Sequence, residues 1–226
     1  MCLMNSFQRS GRPPERNESM NSEEKTIRFF TEELASSLPA PGGGGAAALV
    51  GTLSACLVSM AANLTLGKKK YADVEQDMRS AIEQCRAIGE KLLSLIDRDE
   101  ECFLPLAAAY SLPQDTPDYE TIRRNAVLTA ASAPFDILRA VAEVLPCLEL
   151  LYEKGSRLML SDVGCAAALC VSAAKCAAMN VFVNTKLLLK DEAAENIARE
   201  TSSLLADCIA RAGAVSDAVL LNLSGE

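Results

Sequence analysis

Residues 39–70 read PAPGGGGAAALVGTLSACLVSMAANLTLGKKK, and the rest of the chain can be interpreted outward from them. Pro39 and Pro41 must end any preceding helix, because proline has no backbone N–H and restricts the residue before it. Residues 46–66 then carry no charged side chain, and three lysines follow. Small and apolar residues without apolar–polar alternation predict a helix that is covered on all sides.

The sequence on both sides of this stretch also reads as helices separated by turns. Residues 23–38 carry apolar side chains at helical spacing, and Ser161 has the character of an N-cap for a long helix after it. Further helices are predicted over residues 74–109, 118–153 with breaks at Pro134 and Pro146, 162–189, and 191–221. No segment alternates as a half-buried strand does, so the fold class is all-α, an up-and-down bundle of about six or seven helices.

The 226-residue chain divides into a short extension and one domain. Residues 1–22 are polar and lack the apolar run of a signal peptide, so they are predicted to be a disordered N-terminal extension. Half of the residues are hydrophobic, which allows residues 23–226 to bury one core as a single helical domain.

Composition excludes several classes of protein. A net charge of −8, 4% aromatic residues and no tryptophan argue against a nucleic-acid partner. The absence of histidine excludes Ser-His-Asp triads, Cys-His pairs and most zinc sites. Nine cysteines without a CxxC pair indicate reduced core thiols in a cytoplasmic protein and no metal, although a cysteine-only metal site stays open.

Two predicted helices are long enough to cross a bilayer. Residues 46–66 and 162–189 nevertheless contain serine, threonine and asparagine, which favours burial in a bundle or at a subunit interface. We therefore expect no membrane association and a homodimer with one of these helices near its interface. A small membrane protein is the alternative that the residues leave open.

Small residues recur every four positions in both helices, which places them on one helix face. The first seam comprises Ala47, Gly51, Ala55, Ser59 and Asn63, and the second comprises Gly164, Ala168, Ser172, Cys176, Asn180 and Asn184. Small residues on one face let helix backbones approach closely. The asparagines that end each seam either hold a polar ligand or complete a core hydrogen-bond network.

Several segments together resemble the formimidoyltetrahydrofolate cyclodeaminase / methenyltetrahydrofolate cyclohydrolase family. The resemblance covers residues 24–221 and rests mainly on PAPGGGGAAA at residues 39–48 and LTLGKKKY at residues 64–71. Weaker matches are LIDRD at residues 95–99 with Phe103, the pairs Leu112-Pro113, Thr116-Pro117 and Ser161-Asp162, and Asn180 with Asn184. The chain departs from the family at Gly45, where serine is common, and near Ser156, where asparagine is common.

The resemblance implies a dimeric helical enzyme that acts on the one-carbon unit of tetrahydrofolate. It either hydrolyses 5,10-methenyltetrahydrofolate to 10-formyltetrahydrofolate or cyclises 5-formimidoyltetrahydrofolate with release of ammonia. The folate supplies the electrophile, so neither reaction needs a metal or another cofactor. Cyclohydrolase or a dual activity is slightly favoured, and an inactive helical scaffold of the same fold is the alternative.

The family's catalytic aspartate corresponds to Asp99. Its helix face is otherwise apolar, formed by Leu92, Leu95, Ile96, Cys102, Phe103 and Leu106. Desolvation there is expected to raise the pKa of Asp99, which suits a general acid or base. The alternative is an ion pair in the core. Asp97 lies on a more polar face and is expected to be solvated.

The resemblance also implies substrate-binding residues. Gly42, Gly43, Gly44 and Gly45 precede a helix, where free backbone N–H groups suit a polar ligand, although such glycines are also common in flexible turns. Lys68, Lys69 and Lys70 suit the glutamate tail of a polyglutamylated folate, or they simply follow a helix C-terminus. Asn63, Ser161, Asp162, Asn180 and Asn184 complete the candidate set, with helix capping as the alternative for Ser161 and Asp162.

Overall fold

The computed structural model describes residues 21–225, and these are folded into helices without any strand. Seven α-helices occur in this part of the chain, which confirms the predicted all-α bundle. They are α1 (Ile27–Leu34), α2 (Gly43–Asn63), α3 (Glu75–Ala109), α4 (Tyr119–Ala142), α5 (Leu145–Lys154), α6 (Leu160–Thr185) and α7 (Glu192–Ser224).

The predicted N-terminal extension ends earlier than expected. Residues 1–20 of it lie outside the described residues, but Ser22 begins a short 3-10 turn that belongs to the fold. The backbone N–H of Ser22 donates to both carboxylate oxygens of Asp97, at 3.0 and 3.1 Å. The prediction of a solvated Asp97 is therefore wrong, since this half-buried side chain anchors the start of the domain to α3.

Helix α6 begins and ends earlier than predicted. It starts at Leu160, so Ser161 lies inside its first turn, and the prediction of Ser161 as the N-cap is wrong. Helix α4 runs through Pro134 without a break, whereas Pro146 lies in the first turn of α5. Asp191 caps α7 by accepting a hydrogen bond from the N–H of Ala194 at 3.1 Å.

Helix α2 occupies the centre of the bundle, where it packs mainly against α3 and α6. The first part of the seam on α2 is an interior contact, as predicted, because Ala47, Gly51 and Ala55 are buried, whereas Ser59 is half-buried and Asn63 is exposed. A Cβ atom on Gly51 would lie 2.8 Å from Cγ2 of Val141, closer than side-chain atoms tolerate. Glycine at this position thus lets α2 approach α4 and α3 closely.

The seam on α6 faces the surface of the chain over most of its length. Gly164 is buried, but Ala168, Ser172 and Cys176 are exposed, so of the two predicted settings, a bundle interior or a subunit interface, the first does not hold for this part of the seam. Together with neighbouring exposed side chains on α2 it forms a weakly polar surface, which we call the outer face. Its members are Leu53, Cys56, Met60, Ala168, Ser172, Cys176, Met179 and Val183, together with one charged side chain, Lys175.

Two helical stretches, Gly43–Asn63 and Arg157–Thr185, are long and apolar enough to span a bilayer by length and composition alone. About half of the most apolar window of each is buried inside the protein, 56% and 44% respectively. Core helices of bundles meet the same criterion. The uncovered half of each helix contributes to the outer face.

Candidate functional site

A cavity of about 150 Å³ lies at the N-terminal end of α2. Five parts of the chain converge on it: the loop of residues 39–42, the first residue of α2, and the helices α3, α4 and α6. Its polar and aromatic lining includes Asp99, Glu100, Phe103, Asn180 and Asn184. The cavity therefore brings together the predicted catalytic aspartate, part of the glycine run and two of the three predicted asparagines.

The carboxyl group of Asp99 lies directly against the first turn of α2. The backbone N–H of Gly45 donates a hydrogen bond to it. A Cβ atom on Gly44 would collide with both carboxylate oxygens of Asp99, so only glycine permits this approach. The first N–H groups of a helix have no helical acceptor and carry partial positive charge, which makes them suitable partners for a carboxylate.

Burial raises the pKa of Asp99 to about 6, and the hydrogen bond from Gly45 opposes that rise. Desolvation disfavours the charged form, and here it outweighs the stabilisation by the helix N-terminus. A carboxyl group with this pKa exchanges protons close to neutral pH, as a general acid or base must. The alternative of a core ion pair is wrong, because among the described residues no cationic side chain pairs with Asp99.

The two asparagines of α6 use their amide nitrogens to bind backbone carbonyls. Nδ2 of Asn180 donates to the carbonyl of Cys176 at 2.8 Å. Nδ2 of Asn184 donates to the carbonyls of Ala130 and Asn180, both at 3.0 Å. Within the described residues no hydrogen bond reaches Oδ1 of Asn180 or Asn184, so both oxygens can accept one from a ligand in the cavity.

Gly42, Gly43 and Gly45 have different surroundings. A Cβ atom on Gly43 would lie 2.9 Å from Nδ2 of Asn180, whereas one on Gly42 would meet nothing within 4 Å. Gly42 and Gly43 line the cavity, and Gly45 faces Ile96 and Pro41 while its N–H binds Asp99. The prediction that all four glycines precede the helix is therefore wrong, because α2 begins at Gly43, and the three glycines of its first turn are in close contact with their neighbours.

The other predicted site residues lie at the opposite end of α2 and α6. Nδ2 of Asn63 donates to the carbonyl of Ser59, one turn earlier in its own helix. Lys68, Lys69 and Lys70 follow α2, and Ser161 and Asp162 lie in the first turn of α6. The 21 residues of α2 separate the two ends by roughly 30 Å, at about 1.5 Å per residue.

This second end, which we call the lysine end, is a hydrogen-bonded surface. Nζ of Lys68 donates to Oγ of Ser156 at 3.1 Å, and the N–H of Ser156 donates to Oγ1 of Thr65 at 3.0 Å. The N–H of Arg157 donates to the hydroxyl of Tyr71 at 3.3 Å and thereby lowers the pKa of Tyr71. All three lysines are exposed and can contact an anionic ligand.

Sequence reasoning missed several residues of both ends. Ala130 and Pro134 line the cavity, and Ser156 and Arg157 organise the lysine end. Pro134 could have been identified from the sequence, because a proline within a helical pattern leaves a backbone carbonyl without its usual hydrogen-bond donor. Across residues 21–225, no group of three or more cysteine, aspartate or glutamate side chains is placed to hold a metal ion.

Comparison with known proteins gives consistent matches. Residues 26–203 match the family model described as formiminotransferase-cyclodeaminase. The chain is 39% identical over 199 residues to a methenyltetrahydrofolate cyclohydrolase of Methylorubrum extorquens, covering 86% of this chain and 94% of that protein. It is 32% identical to formimidoyltransferase-cyclodeaminase of Rattus norvegicus, covering 84% of this chain but only 36% of the rat protein.

A solved structure also matches. The crystal structure of a formiminotetrahydrofolate cyclodeaminase from Thermotoga maritima has a TM-score of 0.78 and 29% identity to this chain. The match covers 88% of this chain and 98% of the Thermotoga chain. The helical arrangement that forms the cavity thus occurs in a protein of nearly the same length.

Proposed function

We propose a reaction for this chain on the premise that it belongs to the formiminotransferase-cyclodeaminase family. It is an enzyme that acts on the methenyl or formimidoyl carbon of a tetrahydrofolate derivative. The observation that carries this proposal is Asp99, a carboxyl group of raised pKa held against the glycine N-terminus of α2 in a cavity. An inactive scaffold is not supported, because a protein without catalysis would not need a desolvated carboxyl group in a cavity.

Both reactions of the family pass through a tetrahedral carbon between two folate nitrogens. In the hydrolysis, the carboxylate of Asp99 takes a proton from the attacking water and then gives it to the departing 5-nitrogen. The remaining hydroxyl proton is released to solvent as the C–N bond breaks and the formyl carbonyl forms. In the cyclodeamination, the same group takes the proton from the attacking 10-nitrogen and gives it to the departing ammonia. A pKa of about 6 places both forms of Asp99 within reach at neutral pH.

The folate itself supplies the electrophilic carbon in this proposal, so the reaction requires neither a metal nor a redox cofactor. Asn180 and Asn184 offer oxygen acceptors for the N–H groups of the pterin ring, and Phe103 offers an aromatic surface. We place the enzyme in the cytoplasm, without a nucleic-acid or membrane partner.

Hydrolysis of 5,10-methenyltetrahydrofolate is the favoured activity. The chain covers 94% of the Methylorubrum cyclohydrolase, whereas it spans about a third of the length of the rat bifunctional protein. Cyclodeamination is the second candidate, because the chain also covers 98% of the Thermotoga cyclodeaminase.

The cavity of Asp99 is too small to enclose a whole folate, since sites for ligands of that size usually exceed about 300 Å³. We propose that a second copy of the chain packs on the outer face and completes the site. A two-fold axis across α2 and α6 would bring the lysine end of one copy to the Asp99 cavity of the other. Lys68, Lys69 and Lys70 would then bind the glutamate tail of a polyglutamylated substrate.

The activity is tested by incubating the purified protein with each folate separately. Loss of the methenyl chromophore above the uncatalysed rate reports hydrolysis, and ammonia released from the formimidoyl substrate reports cyclodeamination. We expect methenyltetrahydrofolate to be hydrolysed with a higher kcat/KM. Absence of turnover with both substrates, in a protein of intact helical content, would reject the proposed function.

The dimer is tested by sedimentation of Ser172→Leu and Gly51→Leu at micromolar concentration. Ser172 is exposed on the outer face, so leucine there should break a dimer without lowering the stability of the isolated fold. Gly51→Leu should instead destabilise the fold itself by at least about 1–3 kcal/mol through overpacking against Val141. A wild-type protein that sediments as a monomer would contradict the shared site.

A further inference from the structure

Helix α4 contains a buried proline at the cavity. Pro134 has no backbone N–H, so the carbonyl of Ala130, four residues earlier, lacks its usual helical donor. The proline ring also pushes that carbonyl away from the helix axis. Because Ala130 is buried as well, a carbonyl left there without a donor would be costly.

Asn184 of α6 supplies the missing hydrogen bond. Its Nδ2 donates to the carbonyl of Ala130 at 3.0 Å and to the carbonyl of Asn180 at the same distance. Two backbone acceptors thus occupy both hydrogens of the amide group. Rotation of the amide would place Oδ1 against two carbonyl oxygens, which repel it. The side chain is therefore held in one orientation, with Oδ1 directed away from those carbonyls.

Ala130, Pro134 and Asn184 all line the cavity that contains Asp99. We propose that Pro134 is a positioning residue that fixes Asn184, so that Oδ1 of Asn184 accepts a hydrogen bond from an N–H group of the bound pterin ring. This inference rests on the proposed function for its ligand, but the link between Pro134 and Asn184 stands on the hydrogen bonds alone. A fixed acceptor favours ligands with a matching N–H and rejects analogues that lack one.

A second proline within a helix provides a matched control. Pro105 lies inside α3, but it is exposed and does not line the cavity. The carbonyl that it leaves without a helical donor belongs to Glu101, which is exposed to water. The same substitution at Pro105 therefore changes a helix proline without changing the contact of Asn184.

The ligand half of the proposal is tested by steady-state kinetics of Pro134→Ala, Pro105→Ala, Asn184→Ala and the double variant of residues 134 and 184. Alanine at position 134 restores the N–H and lets the Ala130 carbonyl return to the helix ladder. We expect KM for methenyltetrahydrofolate to rise about tenfold, the effect of one hydrogen bond, while kcat changes less than about twofold. Pro105→Ala should leave both constants unchanged.

The decisive result is whether the effects of the substitutions at Pro134 and Asn184 on KM are coupled. Asn184→Ala should raise KM by a similar factor, and the double variant should show little further rise, because both substitutions remove the same contact. An unchanged KM in Pro134→Ala, or effects that multiply fully in the double variant, would overturn the proposal. Turnover of the wild-type protein in the same assay establishes that the proposed function holds.

A second arm needs no folate and therefore separates the two proposals. In thermal unfolding, Asn184→Ala should lower the midpoint in the wild-type background, where the Ala130 carbonyl loses the hydrogen bond from Asn184, and lower it less in the Pro134→Ala background. Additive midpoint changes would overturn the link between Pro134 and Asn184 even if the enzyme proved to act on another substrate. Coupled midpoints with an unchanged KM would overturn the ligand half alone.

Discussion

The two ends of the α2–α6 pair differ in almost every physical property. At the Asp99 end, a carboxyl group is half-buried against a helix N-terminus and its pKa is raised to about 6. At the lysine end, three cationic side chains are exposed to solvent. Desolvation of the reactive Asp99 carboxyl group lowers the stability of the fold, whereas water screens the charges of the exposed lysines. We therefore expect the Asp99 end to determine kcat and the lysine end to affect only the binding of an anionic tail.

The largest effect is expected from Asp99→Asn. The substitution keeps the size of the side chain and removes its proton transfer, so kcat should fall about 10²–10⁴-fold. Stability should not fall, because a desolvated carboxylate is replaced by a neutral amide. Stopped-flow absorbance of the methenyl group and a thermal melt measure the two quantities.

Asp97→Asn is the matched control, two residues away on the same helix. Its carboxylate holds the N–H of Ser22, and an amide oxygen can keep one of those contacts. Activity should change by less than about tenfold, as expected for a group without a role in proton transfer. Equal losses in both variants would mean that the helix, rather than the Asp99 carboxyl group, is what the reaction needs.

Gly44→Ala should have the next largest effect. The added methyl group would occupy the position of the Asp99 carboxylate, so this group must move away from α2. A displacement of about 1 Å can cost on the order of 10²-fold in rate, and we expect kcat/KM to fall by that order. Gly42→Ala meets no protein atom within 4 Å and leaves the Asp99 carboxyl group in place, so its kcat/KM should fall less than that of Gly44→Ala. Similar losses in both would indicate a requirement for loop flexibility.

The pH dependence tests the same carboxyl group without a substitution. If Asp99 acts first as a base, kcat/KM should rise through an inflection near pH 6 and level off above it, since the charged form is the active one. The raised pKa also means that the folded protein binds more protons than the unfolded chain between about pH 4 and 6. The free energy of unfolding should therefore decrease as pH rises through that window.

Asp99→Asn should remove both the kinetic inflection and its contribution to the stability profile. Initial rates corrected for uncatalysed hydrolysis and urea titrations at each pH provide the measurements. A wild-type rate that falls through pH 6 would assign the protonated form of Asp99 as the active one. A profile that survives the substitution would show that another group titrates there.

The smallest effect is expected at the lysine end. Combined Lys69→Ala and Lys70→Ala should raise KM for a pentaglutamyl substrate roughly three- to tenfold, since exposed ion pairs contribute little each. KM for the monoglutamyl substrate and kcat should stay unchanged. Lys68 is kept, because its hydrogen bond with Ser156 belongs to the fold. Equal changes in KM for both substrates, or no change for either, would show that the glutamate tail does not bind at the lysine end.

The comparison of the two ends also shows what could be predicted from the sequence. Helices and the position of Asp99 on an apolar face follow from residue spacing, which depends on local geometry alone. Asn63 and Asn180 looked equivalent, because each lies near the end of a four-residue seam, yet they lie at opposite ends of the bundle. Which helix ends meet is decided by the directions of the helices after packing, and spacing within one helix contains no such information.

Local sequence patterns also did not predict the structure where one pattern is compatible with two arrangements. Ser161 has the chemistry of an N-cap, but the helix begins one residue before it, after a short 3-10 turn at Arg157–Met159. The seam on α6 looked like the seam on α2, although the chain covers three of the five α2 positions, Ala47, Gly51 and Ala55, and on α6 fully buries only Gly164. Small residues permit close packing, but they do not specify whether the partner is the same chain.

The contact between Ser22 and Asp97 has a practical consequence for where this protein can be shortened. Met20 is a natural place to begin a trimmed chain, and such a chain keeps the bond from Ser22 to α3 as well as the nearly buried pair of Lys25 and Glu33, 2.8 Å apart. A chain begun at Ile27, where the first α-helix starts, loses both. Such a chain would no longer anchor the turn of α3 that carries Asp97 and Asp99. A shortened chain that begins at the first α-helix therefore loses contacts that hold the reactive group in place.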